Sequence, residues 1–82
     1  MVNIVFLDSF QKDISKIKDL GFKRRIIKNI EKIKENPEIG KPMRYGRIGT
    51  REVYISPYRL SYIYLPEENA IYLLDIYHKD QQ

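Results

Sequence analysis

The sequence predicts an α+β domain of order β-α-α-β-β-β, with a helical hairpin packed on one face of a small, mainly antiparallel twisted sheet. Two observations support this. Apolar residues between Phe10 and Ile33 recur at helical spacing. Three runs between residues 51 and 79 are rich in Ile, Val, Leu and Tyr and are separated by turn residues. With 82 residues, we expect a single domain over residues 1–82.

The first three elements follow from local signals. Residues 2–6 predict a strand, and its two apolar faces predict burial near the middle of the sheet. A helix then begins at Asp8 or Ser9 and ends at Gly21, because glycine adopts the left-handed conformation at little cost. A second helix ends before Pro37, since proline disfavours helix in the preceding residue. The short connection predicts an antiparallel helix pair.

The remaining strands form an antiparallel meander. Ser56-Pro57 and residues 66–69 have the composition of hairpin connections. Side chains alternate between the two faces of a sheet. The face expected beneath the helices carries Val53, Leu60 and Leu74. The opposite side, which we call the open face, is expected to carry Tyr54, Arg59 and Lys79.

The charge of the chain is unevenly distributed. The net charge is +4, with most cations between residues 23 and 59 and mainly acidic residues after position 65. Such a pattern suggests a polyanion or an acidic protein as partner. For the helix lysines, a solvated helix face is the other interpretation. The loop at residues 37–49 adds cations where binding residues concentrate, or where they serve solubility alone: Lys41, Arg44 and Arg47.

Several classes of protein are not expected. Cysteine is absent, so there is no disulfide framework or thiolate zinc site, and a reducing compartment fits. No apolar run approaches the ~20 residues that span a bilayer, and no basic region precedes the first apolar segment, as a signal peptide requires. We therefore expect the cytoplasm. No metal-ligand spacing or phosphate-binding glycine loop appears, so no metal or cofactor is expected.

A series of short motifs runs through nearly the whole chain. In order they are Phe10 with Lys12-Asp13, Asn36-Pro37, Gly40-Lys41-Pro42-Met43-Arg44, Arg51-Glu52-Val53, Tyr58-Arg59-Leu60 with Tyr62, and Ile76-Tyr77-His78-Lys79. In this order and spacing the sequence resembles the RelE/ParE toxin superfamily, and more closely its RelE branch. The resemblance implies the toxin of a type II toxin–antitoxin system, which cleaves messenger RNA in the ribosomal A site without a metal. It also implies neutralisation by a RelB-like antitoxin in a hetero-oligomer.

The resemblance also assigns site residues. Arg59 is expected to contact the scissile phosphate, and Arg44 is the loop arginine of the family. Lys79 stands in place of a late arginine, while Tyr54 and Glu52 stand where the family has strand lysines. An ion pair with Arg51 is one interpretation of Glu52. A C-terminal tyrosine found in some members has no counterpart before Gln82. The further candidates for RNA binding are Lys41, Arg47, Arg51, Tyr77 and His78.

The implied reaction needs little from the protein beyond positioning and charge. RNA carries its own nucleophile, the 2′-hydroxyl, and preorganised cations stabilise the charge that develops on the phosphate. We expect Arg44, Arg59 and Lys79 to converge in one hollow on the open face. Lys79 or His78 could protonate the leaving oxygen, although alternation turns His78 away from Arg59. Two alternatives stay open: a ParE-like toxin that inhibits gyrase without nuclease chemistry, and a catalytically weakened toxin-fold protein that mainly binds its antitoxin.

Overall fold

A computed structural model describes residues 2–43, 49–78 and 80. The elements are β1 (Asn3–Phe6), α1 (Asp8–Ser15), α2 (Leu20–Glu35), β2 (Lys41–Pro42), β3 (Arg51–Ile55), β4 (Tyr58–Leu65) and β5 (Ala70–His78). They build a five-stranded sheet of order β1-β5-β4-β3-β2. Only the β1–β5 pair is parallel among these described strands. The predicted α+β fold, with its helical hairpin on one face of the sheet, is confirmed.

β1 lies at an edge of the sheet, so its predicted place near the middle is wrong. It pairs with β5 in a register that sets Phe6 beside Leu73. Val5 and Phe6 remain 36% and 46% exposed. Apolar residues on both faces of a strand usually indicate burial on both faces. Here Phe6 leaves apolar surface next to α1 and α2, whereas Val5 points to the opposite face of the sheet.

The boundary between the helices differs from the prediction. α1 ends at Ser15, and Gly21 lies in the first turn of α2, so the prediction that Gly21 ends the first helix is wrong. The physical reason is a stronger signal just before it, because the Asp19 carboxylate accepts a hydrogen bond from the backbone N–H of Phe22 at 3.2 Å. The predicted end of α2 before Pro37 is confirmed.

The core lies between the helices and one face of the sheet. Its largest buried side chains come from α1, α2, β3, β4 and β5: Phe10, Ile33, Ile55, Leu60, Tyr62, Ile71 and Leu73.

No helix within residues 2–43, 49–78 and 80 is both long and apolar enough to cross a membrane.

β5 contains an irregularity that changes which of its residues face the core. Ser61 pairs with Asp75 but Tyr62 pairs with Leu73, so Leu74 is passed over. An extra residue of this kind reverses the alternation on one side of it. Leu73 and Ile71 therefore enter the core with Leu60 and Ile76, and the prediction that Leu74 shares the face of Leu60 is wrong.

α1 is hydrogen-bonded to this irregular part of β5. The hydroxyl of Ser9 donates to the carbonyl of Leu74. The carboxylate of Asp13 accepts from the backbone N–H of Ile76 at 3.1 Å. Both contacts satisfy backbone groups close to the place where the strand pairing is disrupted, which is how buried backbone polar groups are kept paired.

Candidate functional site

Three strands bring a cation and two tyrosines into one row on the open face. Tyr54 of β3 lies opposite Arg59 of β4, and Arg59 lies opposite Tyr77 of β5. The connection Ser56-Pro57 is the predicted tight hairpin, and it sets this register. The expectation that Arg59 and Tyr54 share the open face is therefore correct in geometry, while their chemical roles stay predictions.

Arg59 has an aromatic ring on one side and a carboxylate on the other. Its guanidinium carbon lies 5.6 Å from the centroid of the Tyr54 ring, within the range of a cation–π contact. Its Nη1 lies 3.5 Å from Oε1 of Glu52. The Arg59 side chain is 36% exposed and Tyr54 is 51% exposed. Solvent, and thus an anionic ligand, can reach both groups.

Glu52 is the buried member of this site. It is 5% exposed, and the hydroxyl of Tyr77 donates a hydrogen bond to its Oε2. Among the described residues, Glu52 forms an ion pair with Arg59, whereas the sequence suggested Arg51. The reason is that side chains alternate between the two faces along a strand, so the neighbours Arg51 and Glu52 point to opposite faces. The same alternation could have been used to find the pair. Glu52 lies two residues before Tyr54 and so shares its face, which is the face expected to carry Arg59.

A second polar row lies next to the first. Glu52 pairs in register with Ser61, and Ser61 pairs with Asp75. Ser61 is fully buried and donates a hydrogen bond to the Asp75 carboxylate. Within the described residues, two carboxylates thus accompany the Arg59 cation in these rows, and they lower the positive potential that a phosphate would meet.

Arg51 points to the other face and anchors the chain before β2. Its Nη1 donates to the carbonyls of Glu38 at 3.0 Å and Gly40 at 2.8 Å. The hydroxyl of Tyr62 donates to the carbonyl of Pro37 and accepts from the N–H of Gly40, both at 2.8 Å. Burial raises the pKa of Tyr62 above its ordinary value. These contacts fix residues 37–40, between α2 and β2, to β3 and β4. β2 lies within the segment that the sequence predicted as a loop over residues 37–49, so that prediction is wrong at Lys41–Pro42.

The other predicted site residues fall in different places. Lys41 lies exposed in β2. The ring of His78 lies 5.5 Å from that of Tyr58, which packs on Phe22 of α2, so His78 faces away from Arg59 as expected. Their roles in RNA binding stay predictions. The predicted residues Arg44, Arg47 and Lys79 lie outside the described residues, and so does the predicted convergence of three cations.

An apolar groove lies at the other side of the molecule. It has a volume of about 320 Å³ and is bordered by β1, α1 and α2. Phe6 and Ile27 at its edge are 46% and 57% exposed, and Lys23 also lines it. Exposed apolar surface of this kind marks sites of protein interaction. Within the described ranges, no group of three or more His, Cys, Asp or Glu residues could hold a metal ion.

Comparison with known proteins gives one family and several similar structures. The family model described as the ParE toxin of the type II toxin–antitoxin system, parDE, matches residues 4–82. A search of curated proteins found no match.

Three solved structures illustrate the likeness of fold. The chain is similar to one in the intact RelBE toxin–antitoxin complex of Escherichia coli, with a TM-score of 0.82, 18% identity, and 95% and 96% of the two chains covered. For the RelBE2 toxin–antitoxin complex of Mycobacterium tuberculosis the values are 0.76, 23%, 95% and 98%. For a metal-bound toxin from Helicobacter pylori they are 0.68, 23%, 99% and 98%.

Proposed function

Because the chain belongs to the ParE toxin family of type II toxin–antitoxin systems and has the fold of RelE, we propose that this toxin is a ribosome-dependent endoribonuclease. It cleaves messenger RNA in the ribosomal A site and needs no metal. The observation that supports this most is the placement of Arg59. Its partly exposed guanidinium lies over Tyr54 on the face that the helices leave uncovered.

The geometry around Arg59 suits a phosphate with an adjacent base. A guanidinium donates two parallel hydrogen bonds to phosphate oxygens, and the exposed ring of Tyr54 offers a surface for stacking. In the proposed step the 2′-oxygen bonds to phosphorus while the bond from phosphorus to the 5′-oxygen breaks. The 2′-hydroxyl loses its proton and the 5′-oxygen gains one. The products are a 2′,3′-cyclic phosphate and a 5′-hydroxyl.

Arg59 stabilises the charge that builds up on the phosphate oxygens in this step. Arg44 and Lys79 are proposed to add positive charge, and Lys79 or His78 to supply the proton for the leaving oxygen. A lysine acts as a proton donor near neutral pH only if neighbouring cations lower its pKa. Tyr77, Lys41, Arg47 and Arg51 remain proposed contacts to RNA outside this step.

Cleavage of a message on stalled ribosomes tests the proposal. The purified toxin is added to ribosomes halted at a defined codon, and the new RNA ends are mapped and analysed for a cyclic phosphate. Arg59→Ala should lower the rate by roughly 100-fold or more, as losing one preorganised electrostatic group does. Arg24→Ala is the matched control, because Arg24 is an exposed arginine on α2. Wild-type cleavage by Arg59→Ala would remove Arg59 from the mechanism.

A second candidate function is inhibition of gyrase by binding. The matching family model is the one for ParE toxins, and the carboxylates beside Arg59 reduce the positive charge that a nuclease site needs. This toxin would then block supercoiling, and Arg59→Ala would leave the block intact. A third candidate is a weakened toxin-fold protein, which would be inactive in both assays and would still bind its antitoxin.

The proposed protein partner is a RelB-like antitoxin. The similar structures from Escherichia coli and Mycobacterium tuberculosis are toxin–antitoxin complexes. We place an apolar antitoxin segment in the groove bordered by Phe6 and Ile27, where it covers their exposed surface. Acidic antitoxin residues would meet Lys23 and the cations of α2. Such a segment folds as it binds, and the pair forms a hetero-oligomer in the cytoplasm.

A further inference from the structure

We propose that Glu52 and Tyr77 are positioning residues that hold the guanidinium of Arg59 in the orientation in which it meets a phosphate. This inference rests on the proposed nuclease function and adds two residues to its site. The catalytic contact belongs to Arg59 alone. Glu52 and the hydroxyl of Tyr77 act on the substrate only through Arg59, while the ring of Tyr77 stays a proposed contact to RNA.

The contacts form a chain across three strands. Tyr77 of β5 donates its hydroxyl to one carboxylate oxygen of Glu52. The other carboxylate oxygen lies 3.5 Å from Nη1 of Arg59. Tyr77 is also the direct register partner of Arg59. The carboxylate on β3 is therefore fixed by β5 while it faces the cation on β4.

The contact with Glu52 leaves hydrogen-bonding capacity on Arg59. The separation of 3.5 Å is longer than the 2.7–2.9 Å of a strong charge-assisted hydrogen bond. The Nε of Arg59 is buried and has no hydrogen-bond partner among the described residues, so a phosphate would meet the exposed part of the guanidinium rather than Nε. The Arg59 side chain is also 36% exposed. Glu52 thus orients the guanidinium electrostatically without using all of its donors.

The burial of Glu52 distinguishes it from an ordinary surface partner. Its side chain is 3% exposed, and a buried carboxylate is stable only when its contacts compensate for the lost hydration. A fixed anion at this depth restricts the rotamers of Arg59, a side chain that otherwise loses much conformational entropy when it is ordered. Arg59 is therefore oriented before RNA arrives, which favours the step that follows binding.

Positioning and simple electrostatics predict opposite effects when the Glu52 charge is removed. If Glu52 only weakens the positive field, a neutral side chain should strengthen RNA binding and speed up cleavage. If Glu52 holds Arg59, the same change should release the guanidinium and lower kcat. It should not raise KM, because the loss of a negative charge does not weaken binding of a polyanion.

The test compares Glu52→Gln with Glu38→Gln. Both changes remove a carboxylate that pairs with an arginine, but Glu38 is 71% exposed and lies 3.8 Å from Arg51 on the other face. Glu52→Gln should lower kcat for cleavage on the ribosome by about tenfold to 100-fold at unchanged or lower KM. Glu38→Gln should change neither constant.

A structural measurement separates this inference from the nuclease proposal. In toxin labelled with ¹⁵N-arginine and without RNA, Glu52→Gln should shift or broaden the Nε–H signal of Arg59, and Glu38→Gln should not. Tyr77→Phe keeps the carboxylate and should produce a smaller shift in the same direction. It serves as the test if Glu52→Gln does not fold.

Two results would overturn the inference. An unchanged Arg59 signal in both Glu52→Gln and Tyr77→Phe would show that neither residue holds the guanidinium, whether or not the toxin cleaves RNA. A loss of kcat in Glu52→Gln with an unchanged Arg59 signal would assign Glu52 a direct role. If the wild-type toxin cleaves no message while the Arg59 signal moves as expected, the nuclease proposal fails and the positioning of Arg59 is still supported.

Discussion

Replacing Gly40 by alanine tests how closely the segment between α2 and β2 packs on β4. A Cβ atom at position 40 would lie 2.6 Å from the hydroxyl oxygen of Tyr62, 2.8 Å from Cε1 and 3.0 Å from Cζ. Tyr62 is fully buried, so its ring cannot swing into solvent. We therefore expect the backbone around Gly40 to be pushed away from β4.

The cost of Gly40→Ala follows from two contributions. Overpacking a well-packed site costs about 1–3 kcal/mol. Displacement also weakens the two hydrogen bonds of the Tyr62 hydroxyl, each with a net value of about 1 kcal/mol. Together they predict that the free energy of unfolding falls by about 2–4 kcal/mol. For a domain of this size, that lowers the melting temperature by at least about 8 °C.

Urea unfolding followed by circular dichroism measures the change, with Gly21→Ala as control. A Cβ at position 21 would meet only the Asp19 carboxylate at 3.2 Å, and alanine favours the helix by up to about 1 kcal/mol. That oxygen also caps α2, so the gain in helix propensity and the strain on the cap oppose each other, and the control should change the free energy of unfolding by less than about 1 kcal/mol. If Gly40→Ala lowers the free energy of unfolding by less than about 0.5 kcal/mol, the close contact with Tyr62 is not a constraint and the reasoning is wrong.

Three further predictions follow from other contacts. Burial raises the pKa of Tyr62 above 10.0. The neutral phenol therefore stabilises the fold fully below pH 10.0. This contribution is lost as the pH rises through the raised pKa. Urea unfolding at alkaline pH should show this loss in wild type and not in Tyr62→Phe. Arg51→Ala should lower the free energy of unfolding by about 1–3 kcal/mol, because two hydrogen bonds from its guanidinium to backbone carbonyls are lost. Glu38→Gln should change it by less than about 1 kcal/mol, and equal effects in urea unfolding would contradict the anchoring role of Arg51. Ile27→Glu should weaken antitoxin binding at least tenfold in calorimetry. Leu20→Glu should not, because Leu20 is also exposed but lies outside the groove. Equal losses of affinity would place the antitoxin elsewhere.

The sequence predicted the features that depend on neighbouring residues. Pro37 ends α2 and Ser56-Pro57 forms the hairpin, because proline and turn residues act through local backbone geometry. Alternation from that hairpin places Arg59 and Tyr54 on the open face. These elements define the fold and put the central cation of the candidate site on the correct side.

The features that the sequence did not predict depend on distant residues. Ser9 and Asp13 bond to the backbone of β5 at Leu74 and Ile76, and no pattern within β5 announces that partner. The extra residue there reverses the faces that strict alternation assigned. Glu52 was misassigned for a related reason, since its charge suggested its neighbour along the chain, whereas its partner comes from the next strand.

The parallel pairing of β1 with β5 affects the order in which this toxin folds during its synthesis. β1 forms an edge of the sheet, and its only strand partner among the described residues is β5, which is translated after all the other described strands and helices. Pairing between such distant segments is slow, because a long loop must close before the contact forms. As long as β5 is still inside the ribosome, the nascent chain lacks Tyr77, and β4 lacks one of its two neighbouring strands. The contacts of Arg59 with Glu52 and Tyr77 therefore assemble only after β5 has left the ribosome.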